Sequence, residues 1–447
     1  MHPSSREPEG SVPRALLVER LVESLTSPLP VSTDRRLSGR VTFPGKATAV
    51  IGMRRAGKTT FLHQLRRERL SQGIARERLP YLNFEDERLA SFTTADFAVL
   101  IEEYYRRFPT FRGHEVVTWC FDEIQVVAGW ERFVRRLIDT EKVEIFISGS
   151  SAALLSREVG TAMRGRAWEV VIFPFGFEEY LRHNGHEVPQ RLDLVGKDER
   201  SALQAALRGY LATGGFPEAQ GLDVDDRFRL LSDYVDVAIL RDVVERYGVS
   251  NVAALRWLVR HLLGSPGGHF SVEKFHRTLR SQGLAVGRDT LHQLLGYLED
   301  SFLVRLTWVE AASERRRMVN PRKAHPIDPG LIPLFDRSGR ANLGHALETA
   351  VRIQLERRRM DVRYVRNQDL SEVDFLARPA QGQPYLIQVC ADLAGEATRA
   401  REVRGLVAAA EDFPEAVPVL ITMTPESAGE TPETIDVVDA ALWLLGR

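Results

Sequence analysis

The chain has 447 residues, which is too many for one ordinary domain and suggests about three. Its 60 Lys and Arg residues balance 61 Asp and Glu residues, so no overall field recruits nucleic acid or membrane, and any basic patch must be local. The two cysteines, Cys120 and Cys390, exclude a disulfide framework and a four-cysteine zinc site. No apolar run approaches the ~18–20 residues of a membrane span, and the N-terminus lacks the apolar segment of a signal peptide. We therefore expect a soluble, cytoplasmic protein.

Residues 1–34 are predicted to form a tail and one short helix, Ala15 to Leu25. Between residues 35 and 180, short apolar segments alternate with helical ones, which predicts an α/β domain with a parallel sheet. The predicted strands are Thr48–Ile51, Leu79–Phe84, Val116–Phe121, Val143–Ser148 and Trp168–Ile172. Helices are predicted between them, at Thr60–Leu70 and Trp130–Thr140.

After residue 180 the strand pattern stops, and residues 181–248 are predicted to be helical, with a turn at Thr213–Pro217. Residues 249–312 are predicted to contain three helices and then a strand. These elements are Val252–Leu263, Val272–Gln282, Arg288–Asp300 and the strand Phe302–Val309. An Arg-rich turn at Arg315–Arg317 opens a last α/β region, residues 313–447.

A phosphate-binding loop is predicted at Gly52–Thr59, which matches G-x-x-x-x-G-K-[ST] between a predicted strand and a predicted helix. The glycines let successive backbone N–H groups face phosphate, and the helix directs its positive dipole end at the same charge. Lys58 is expected to reach the β- and γ-phosphates, and the Thr59 hydroxyl to ligate Mg²⁺. The predicted nucleotide contacts are Gly52, Arg55, Ala56, Gly57, Lys58, Thr59 and Thr60.

An acidic pair, Asp122 and Glu123, ends the predicted strand Val116–Phe121. In a parallel sheet this end lies beside the phosphate loop. Asp122 is expected to hold magnesium, usually through water, and Glu123 to polarise the attacking water. A kinase-type site does not need the second carboxylate, so the pair favours hydrolysis. Without the phosphate loop, a surface acidic pair would be the better interpretation.

Two further residues are candidates for roles in hydrolysis. Ser148, at the tip of the next strand, can sit between the acidic pair and the γ-phosphate, with Ser150 as second choice; a plain Ser/Gly turn is the alternative. Arg166 precedes a predicted strand and is a candidate arginine finger acting on a neighbouring subunit. The alternative for Arg166 is a solvated arginine in a loop, paired with Arg164.

The succession of these motifs resembles the AAA-type ATPase family of archaea and bacteria, over about residues 35 to 425. The resemblance is carried by Gly52–Thr59, Tyr81–Asp86, Phe121–Gln125, Ser148–Ser151, Gly165-Arg166, Phe173–Tyr180, Gly214–Glu218, Asn320–Lys323, Ile327–Gly330, Gly344, Glu348 and Glu372–Phe375. It implies ATP binding and hydrolysis, a helical lid over residues 181–248 and a winged-helix module over 249–312. It also implies a restriction-endonuclease-like α/β domain over 313–447, but supplies no substrate.

The helix, turn, helix and strand order of residues 272–309 is that of a winged helix-turn-helix, whose second helix commonly enters a major groove. Side chains on the first turns of that helix can meet bases or phosphates, and arginines on the wing can contact phosphate. The candidates are Arg288, Thr290, His292, Gln293, Arg315, Arg316 and Arg317. Asp289 lies among these candidates and the chain is close to neutral overall, so protein docking remains the alternative to DNA contact.

A nuclease of the restriction-endonuclease type needs Asp and Glu on adjacent strands, and a Lys two residues beyond the Glu. Asp374 occupies the first position, and Glu348 lies on the preceding helix. Gln388 stands where the Glu should be and Cys390 where the Lys should be, and residues 362–393 contain no Lys. We therefore predict that the fold persists and that the domain does not cut nucleic acid.

Three functions are compatible with these motifs. The favoured one is an ATPase that couples hydrolysis to rearrangement of nucleic acid or a partner. The others are a signalling ATPase whose nucleotide state switches a docking surface, and an ATP-controlled nuclease. DNA-stimulated turnover with a steep salt dependence distinguishes the first from the second.

Overall fold

The computed structural model describes residues 12–149, 163, 165–336, 342–366 and 372–446. The chain divides into two compact units, Met1–Ile172 and Phe173–Arg447. In the described part of the chain, no helix combines the length and the apolar character that a membrane crossing requires. Ser150, Ser151 and Arg164 lie outside the described residues.

The described part of the first unit contains a five-stranded parallel sheet in the order β2-β3-β4-β1-β5. The strands are β1 (Ala47–Ile51), β2 (Tyr81–Asn83), β3 (Val117–Asp122), β4 (Val143–Ser148) and β5 (Ala167–Val171). The helices are α1 (Arg14–Thr26), α2 (Lys58–Ser71), α3 (Asp96–Arg107) and α4 (Trp130–Thr140). The predicted α/β class with a parallel sheet is confirmed.

The central strands form because their residues are apolar and covered on both faces. Every residue of β1 and of β3 is buried, as expected for strands with helices on both sides. One side of the core is aromatic: Phe97 of α3 stacks on Phe133 of α4, with ring centroids 3.9 Å apart, and both rings contact Phe121 of β3. This packing holds the carboxyl end of β3 in place.

The second unit begins with helices α5 (Phe177–His183), α6 (Lys197–Thr213), α7 (Val224–Val237) and a π-helical segment (Ala238–Glu245). The predicted turn after Thr213 is present, with Gly214 at φ 74°. A Cβ on Gly215 would lie 2.1 Å from the Phe175 carbonyl oxygen, so a glycine is required there. The buried Asp328 carboxylate accepts from the Gly215 N–H at 2.7 Å and fixes the turn.

Residues 252–326 have the order helix, strand, two helices, strand, helix, strand. These elements are α8 (Val252–Leu263), β6 (His269–Phe270), α9 (Val272–Ser281), α10 (Arg288–Asp300), β7 (Val304–Val309), α11 (Glu314–Val319) and β8 (Arg322–Pro326). β8 pairs antiparallel with both β6 and β7. Helices α8, α9 and α10 were predicted, but the turn expected at Arg315–Arg317 is wrong: Ser313 caps the short helix α11 there by accepting from the Arg316 N–H.

The remaining elements continue the sheet of β6–β8, so one eight-stranded sheet runs through the described residues 269–439. They are α12 (Leu343–Arg357), β9 (Asp361–Arg366), β10 (Glu372–Arg378), β11 (Tyr385–Val389), α13 (Glu396–Asp412), β12 (Val417–Thr422), β13 (Asp436–Asp439) and α14 (Ala440–Leu445). β9, β10 and β11 are antiparallel neighbours, and β11–β13 are parallel. The parallel pairing of β7 with β9 joins the two parts.

Candidate nucleotide-binding site

In the loop between β1 and α2, two glycines have positive φ angles that residues with a side chain rarely adopt. Gly52 and Gly57 have φ of 145° and 101°. A Cβ on Gly52 would lie 2.2 Å from the Ile172 carbonyl oxygen, so any side chain there would displace the backbone beside β5. Arg55 is also left-handed, with φ 63°. The loop is therefore a backbone concavity at the N-terminus of α2, the geometry that binds phosphate.

Lys58, the first residue of α2, directs its side chain back into this loop. Its Nζ lies 3.2 Å from the Gly52 carbonyl oxygen and 3.1 Å from that of Met53, and the residue is buried. Thr59 and Thr60 follow on the first helical turn, where their side chains are exposed and half-buried. The loop thus places an ammonium group in the concavity and a hydroxyl group beside it.

The acidic pair lies at the end of β3, and two hydroxyl groups hold its first member. Asp122 is fully buried; its Oδ1 accepts from Ser148 Oγ, and its Oδ2 accepts from the Tyr81 hydroxyl at 2.7 Å. Ser148 Oγ also accepts from the Glu123 N–H at 3.1 Å. Ser148 therefore contacts both members of the pair.

Glu123 sits in the left-handed region, with φ 52°, so β3 stops at once and the Glu123 side chain turns away from the strand direction. Such backbone is costly for a residue with a Cβ and is often found at functional sites. Burial raises the pKa of the Glu123 carboxyl, and the nearby Lys58 ammonium limits that rise. The Gln125 side-chain amide donates to Glu123 Oε2. A carboxylate with a raised pKa and a fixed orientation is suited to accept a proton from water.

Arg166 lies at the amino-terminal ends of the strands, whereas the phosphate loop lies at their carboxyl-terminal ends. The Arg166 carbonyl accepts from the Ala47 N–H at 2.9 Å, at the amino end of β1. At ~3.3 Å per strand residue, this is roughly 16 Å from the phosphate loop of the same chain. The Arg166 guanidinium forms an ion pair with Asp139, and both side chains are largely exposed. Arg166 is thus not placed to act on its own chain's nucleotide.

Two residues in contact with the acidic pair were not predicted as site residues. Tyr81 reaches Asp122 because β2 lies next to β3, with Asn83 opposite Asp122 in the register. Gln125 reaches Glu123 because the left-handed backbone at Glu123 folds the chain back on itself. Neither residue type identifies such a role from the sequence, since both contacts follow from the folded backbone.

The residues present fit ATP with a magnesium ion. In the described part of the chain, no three His, Cys, Asp or Glu side chains are grouped so that they can hold a metal by themselves. Mg²⁺ commonly binds through one or two protein oxygens, substrate phosphates and waters, so a threonine hydroxyl and one carboxylate suffice. Thr59 on α2 and Asp122 on β3 carry groups of these two kinds.

The winged-helix candidates in the second unit are partly engaged within the chain. Arg288 forms an ion pair with Glu273, and Arg317 one with Glu314 at 2.6 Å. Gln293 is exposed on α10, Thr290 is half-buried, and Arg315 and Arg316 are exposed on α11. The basic groups are therefore mixed with acidic ones on this surface.

The nuclease-like residues come together in the second unit, joined by a residue from an earlier strand. Asp374 lies on β10, Glu348 on α12 and Gln388 on β11, with Cys390 directly after that strand. Lys323 of β8 contacts both Asp374 and Glu348. A lysine therefore reaches the cluster although residues 362–393 contain none.

Comparison with known proteins identifies the family of this part of the chain. The family described as an AAA domain matches residues 44–181, and a domain of unknown function matches residues 204–339. An uncharacterised protein of Methanocaldococcus jannaschii is 31% identical over 375 residues, 83% of this chain and 80% of that protein. An uncharacterised protein of Haemophilus influenzae is 31% identical over 338 residues, 75% of this chain and 80% of that protein.

Among solved structures, the Walker-type ATPase of Pyrococcus abyssi is similar at 17% identity and a TM-score of 0.38, covering 74% of this chain and 99% of that one. The AAA-domain match and the relatives at 31% identity show the family directly. The chain belongs to the AAA-type ATPase family.

Proposed function

We propose that the protein binds ATP with Mg²⁺ and hydrolyses it. The observation that carries the proposal is the convergence of a phosphate loop, the Lys58 ammonium, the buried Asp122 and the half-buried Glu123 at the carboxyl ends of the strands of one sheet. The loop N–H groups and Lys58 bind the phosphates. Thr59 and Asp122 hold the magnesium ion, which neutralises charge on the phosphate oxygens when bound.

Glu123 orients the attacking water and takes its proton. Its raised pKa makes it a stronger base than an exposed glutamate, and the nearby Lys58 ammonium limits that rise. Ser148 holds Asp122 and the Glu123 backbone in fixed relation. Arg166 lies at the amino-terminal ends of the strands, away from the phosphate loop. We therefore propose that it acts on the nucleotide of a second copy of the chain, in the arginine-finger role.

We further propose that hydrolysis is coupled to rearrangement of DNA or a protein partner through the winged-helix region. Its candidate contacts are Arg288, Thr290, Gln293, Arg315, Arg316 and Arg317. The internal ion pairs of Arg288 and Arg317 favour protein docking as the second candidate, because each carboxylate partly offsets the positive charge that would attract phosphate.

Steady-state ATP turnover and nucleotide affinity of the full chain test the first proposal. We expect Lys58→Ala to weaken nucleotide binding, and Glu123→Gln to bind ATP and turn it over slowly. Glu115→Gln is the matched control, because it removes a charge from a half-exposed side chain just before the amino end of β3, away from the site. Wild-type turnover in Glu123→Gln contradicts the assigned role, and a chain that binds no nucleotide contradicts the proposal as a whole.

The coupling is tested by adding double- and single-stranded DNA to the same assay over a range of salt concentrations. Stimulation that falls steeply with salt and is reduced in Arg315→Ala supports DNA coupling. Turnover that is indifferent to DNA, together with a stable protein partner, supports docking.

A further inference from the structure

The Lys323 ammonium lies among three carboxylates of the second unit. Its Nζ is 2.8 Å from Asp374 Oδ1, 2.8 Å from Glu372 Oε1 and 3.1 Å from Glu348 Oε1. Only 4% of the Lys323 side chain is exposed. The four residues come from β8, α12 and β10, so the cluster forms where the winged-helix strands meet the nuclease-like elements.

Two of the three remaining carboxylate oxygens of this cluster also have partners. Asp374 Oδ2 accepts from the Val389 N–H at 3.0 Å. Glu372 Oε2 lies 2.7 Å from His269 Nε2. Burial lowers the pKa of Lys323, but the carboxylates of Asp374, Glu348 and Glu372 outweigh it and hold that pKa well above its usual value. The ammonium is thus a permanent charge.

The divalent metal that a nuclease of this fold requires does not fit the residues present. Gln388 is turned away from the metal position: its Oε1 accepts from the Asp374 N–H at 3.2 Å and its Nε2 donates to Glu402 at 2.7 Å. Burial raises the pKa of the Cys390 thiol to about 11, so it is neutral and offers no catalytic cation. Asp374, the one carboxylate left from the motif, already lies 2.8 Å from the Lys323 ammonium, which occupies the position a metal cation would take, and its other oxygen accepts from the Val389 N–H.

We propose that the Lys323 ammonium is the built-in cation of this site and takes the place of the divalent metal. The C-terminal α/β region then needs no metal ion at this cluster and cleaves no nucleic acid. Three carboxylate oxygens already surround one point within 3.1 Å. A contraction of about 0.7–1 Å would bring them to the distances at which Mn²⁺- or Mg²⁺-like ions are bound, so removing the ammonium should open a metal site.

The test is Mn²⁺ binding and thermal unfolding of the full chain without nucleotide, which keeps it independent of the proposed ATPase activity. Lys323→Met removes the charge and keeps the length of the side chain. Lys323→Arg keeps the charge, and Lys274→Met, at an exposed position on α9, controls for the loss of a lysine elsewhere. We expect Lys323→Met to lower the melting temperature, to gain a single Mn²⁺ site, and to recover stability when Mn²⁺ is added.

Adding Asp374→Asn to Lys323→Met should abolish the new site, whereas the wild-type chain and Asp374→Asn alone should bind Mn²⁺ equally. A folded Lys323→Met chain that gains no Mn²⁺ overturns the proposal. The proposal is also overturned if the wild-type chain binds Mn²⁺ and this binding disappears in Asp374→Asn. The comparison of these two chains tests the proposal even if Lys323→Met does not fold. Cleavage of DNA or RNA by the wild type with Mg²⁺ or Mn²⁺, abolished by Asp374→Ala, is the third contradicting result.

Discussion

The Tyr81→Phe variant lacks only the hydroxyl oxygen of Tyr81, so it measures what that hydroxyl contributes to the site. The ring contacts of Tyr81 with His63, at 4.6 Å between centroids, and with the Arg66 guanidinium, at 5.6 Å, are available to phenylalanine as well. The hydroxyl donates to Asp122, and burial and the Asp122 charge raise the pKa of Tyr81, so the proton stays on the tyrosine at working pH.

The expected magnitude follows from the burial of Asp122. A hydrogen bond to a charged group contributes about 1.5–3 kcal/mol, which corresponds to roughly 10–150-fold if all of it appears in one equilibrium. Ser148 still holds the other oxygen of Asp122 in the variant, so the lower end of that range applies. We expect about a tenfold higher Mg²⁺ concentration for half-maximal turnover, because Asp122 is no longer held in the orientation that binds the ion.

The assay is ATP turnover as a function of Mg²⁺ at saturating ATP, with thermal unfolding measured on the same samples. Tyr104→Phe is the matched control: it removes a buried hydroxyl of the same unit, which donates to the Glu77 carbonyl at 2.9 Å, away from the site. This neutral hydrogen bond contributes about 0.5–1.5 kcal/mol to stability and nothing to Mg²⁺ dependence.

The two variants should therefore change different properties: Tyr81→Phe should change the Mg²⁺ dependence of turnover, whereas Tyr104→Phe should change only the thermal stability. If Tyr81→Phe lowers the melting temperature as Tyr104→Phe does and leaves the Mg²⁺ dependence unchanged, the hydroxyl is only a structural contact. The assignment of Asp122 as a magnesium ligand positioned by Tyr81 would then be refuted.

Three other predictions concern separate parts of the chain. Arg166→Ala should slow turnover by about 10³-fold or more with ATP affinity nearly intact, and a monomer with an unchanged rate contradicts this. Gln125→Leu removes a donor to ionised Glu123 and should raise its pKa further, so the loss of turnover on acidification should begin at higher pH; an unshifted pH–rate profile argues against Glu123 as base. Asp328→Asn replaces one of the two carboxylate oxygens that accept from the Gly215 and Gly330 N–H groups with a donor, and should destabilise the second unit by about 1–3 kcal/mol, measured by thermal unfolding.

The phosphate loop was predictable because all of its information is local. Eight consecutive residues specify the left-handed glycines, the ammonium and the first turn of α2, and each of these properties belongs to the residue itself. The parallel sheet was predictable for a similar reason, since strands covered on both faces are short continuous apolar runs such as Val117–Phe121. The region around Arg315–Arg317 was misjudged because a serine cap outweighed the turn suggested by clustered charge.

The partners of the acidic groups could not be predicted, because they depend on which strands become neighbours. Tyr81 contacts Asp122 across 41 positions of sequence, and Lys323 contacts Asp374 across 51. A buried carboxylate requires donors, but no pattern in the sequence says which side chain supplies them. The sequence by itself determined the phosphate loop, the acidic pair and the defective nuclease motif, because residue type alone decides that chemistry. Only the tertiary structure decided that a tyrosine orients Asp122 and that a lysine fills the cluster at Asp374, because strand order and register bring those charges and hydroxyls within bonding distance.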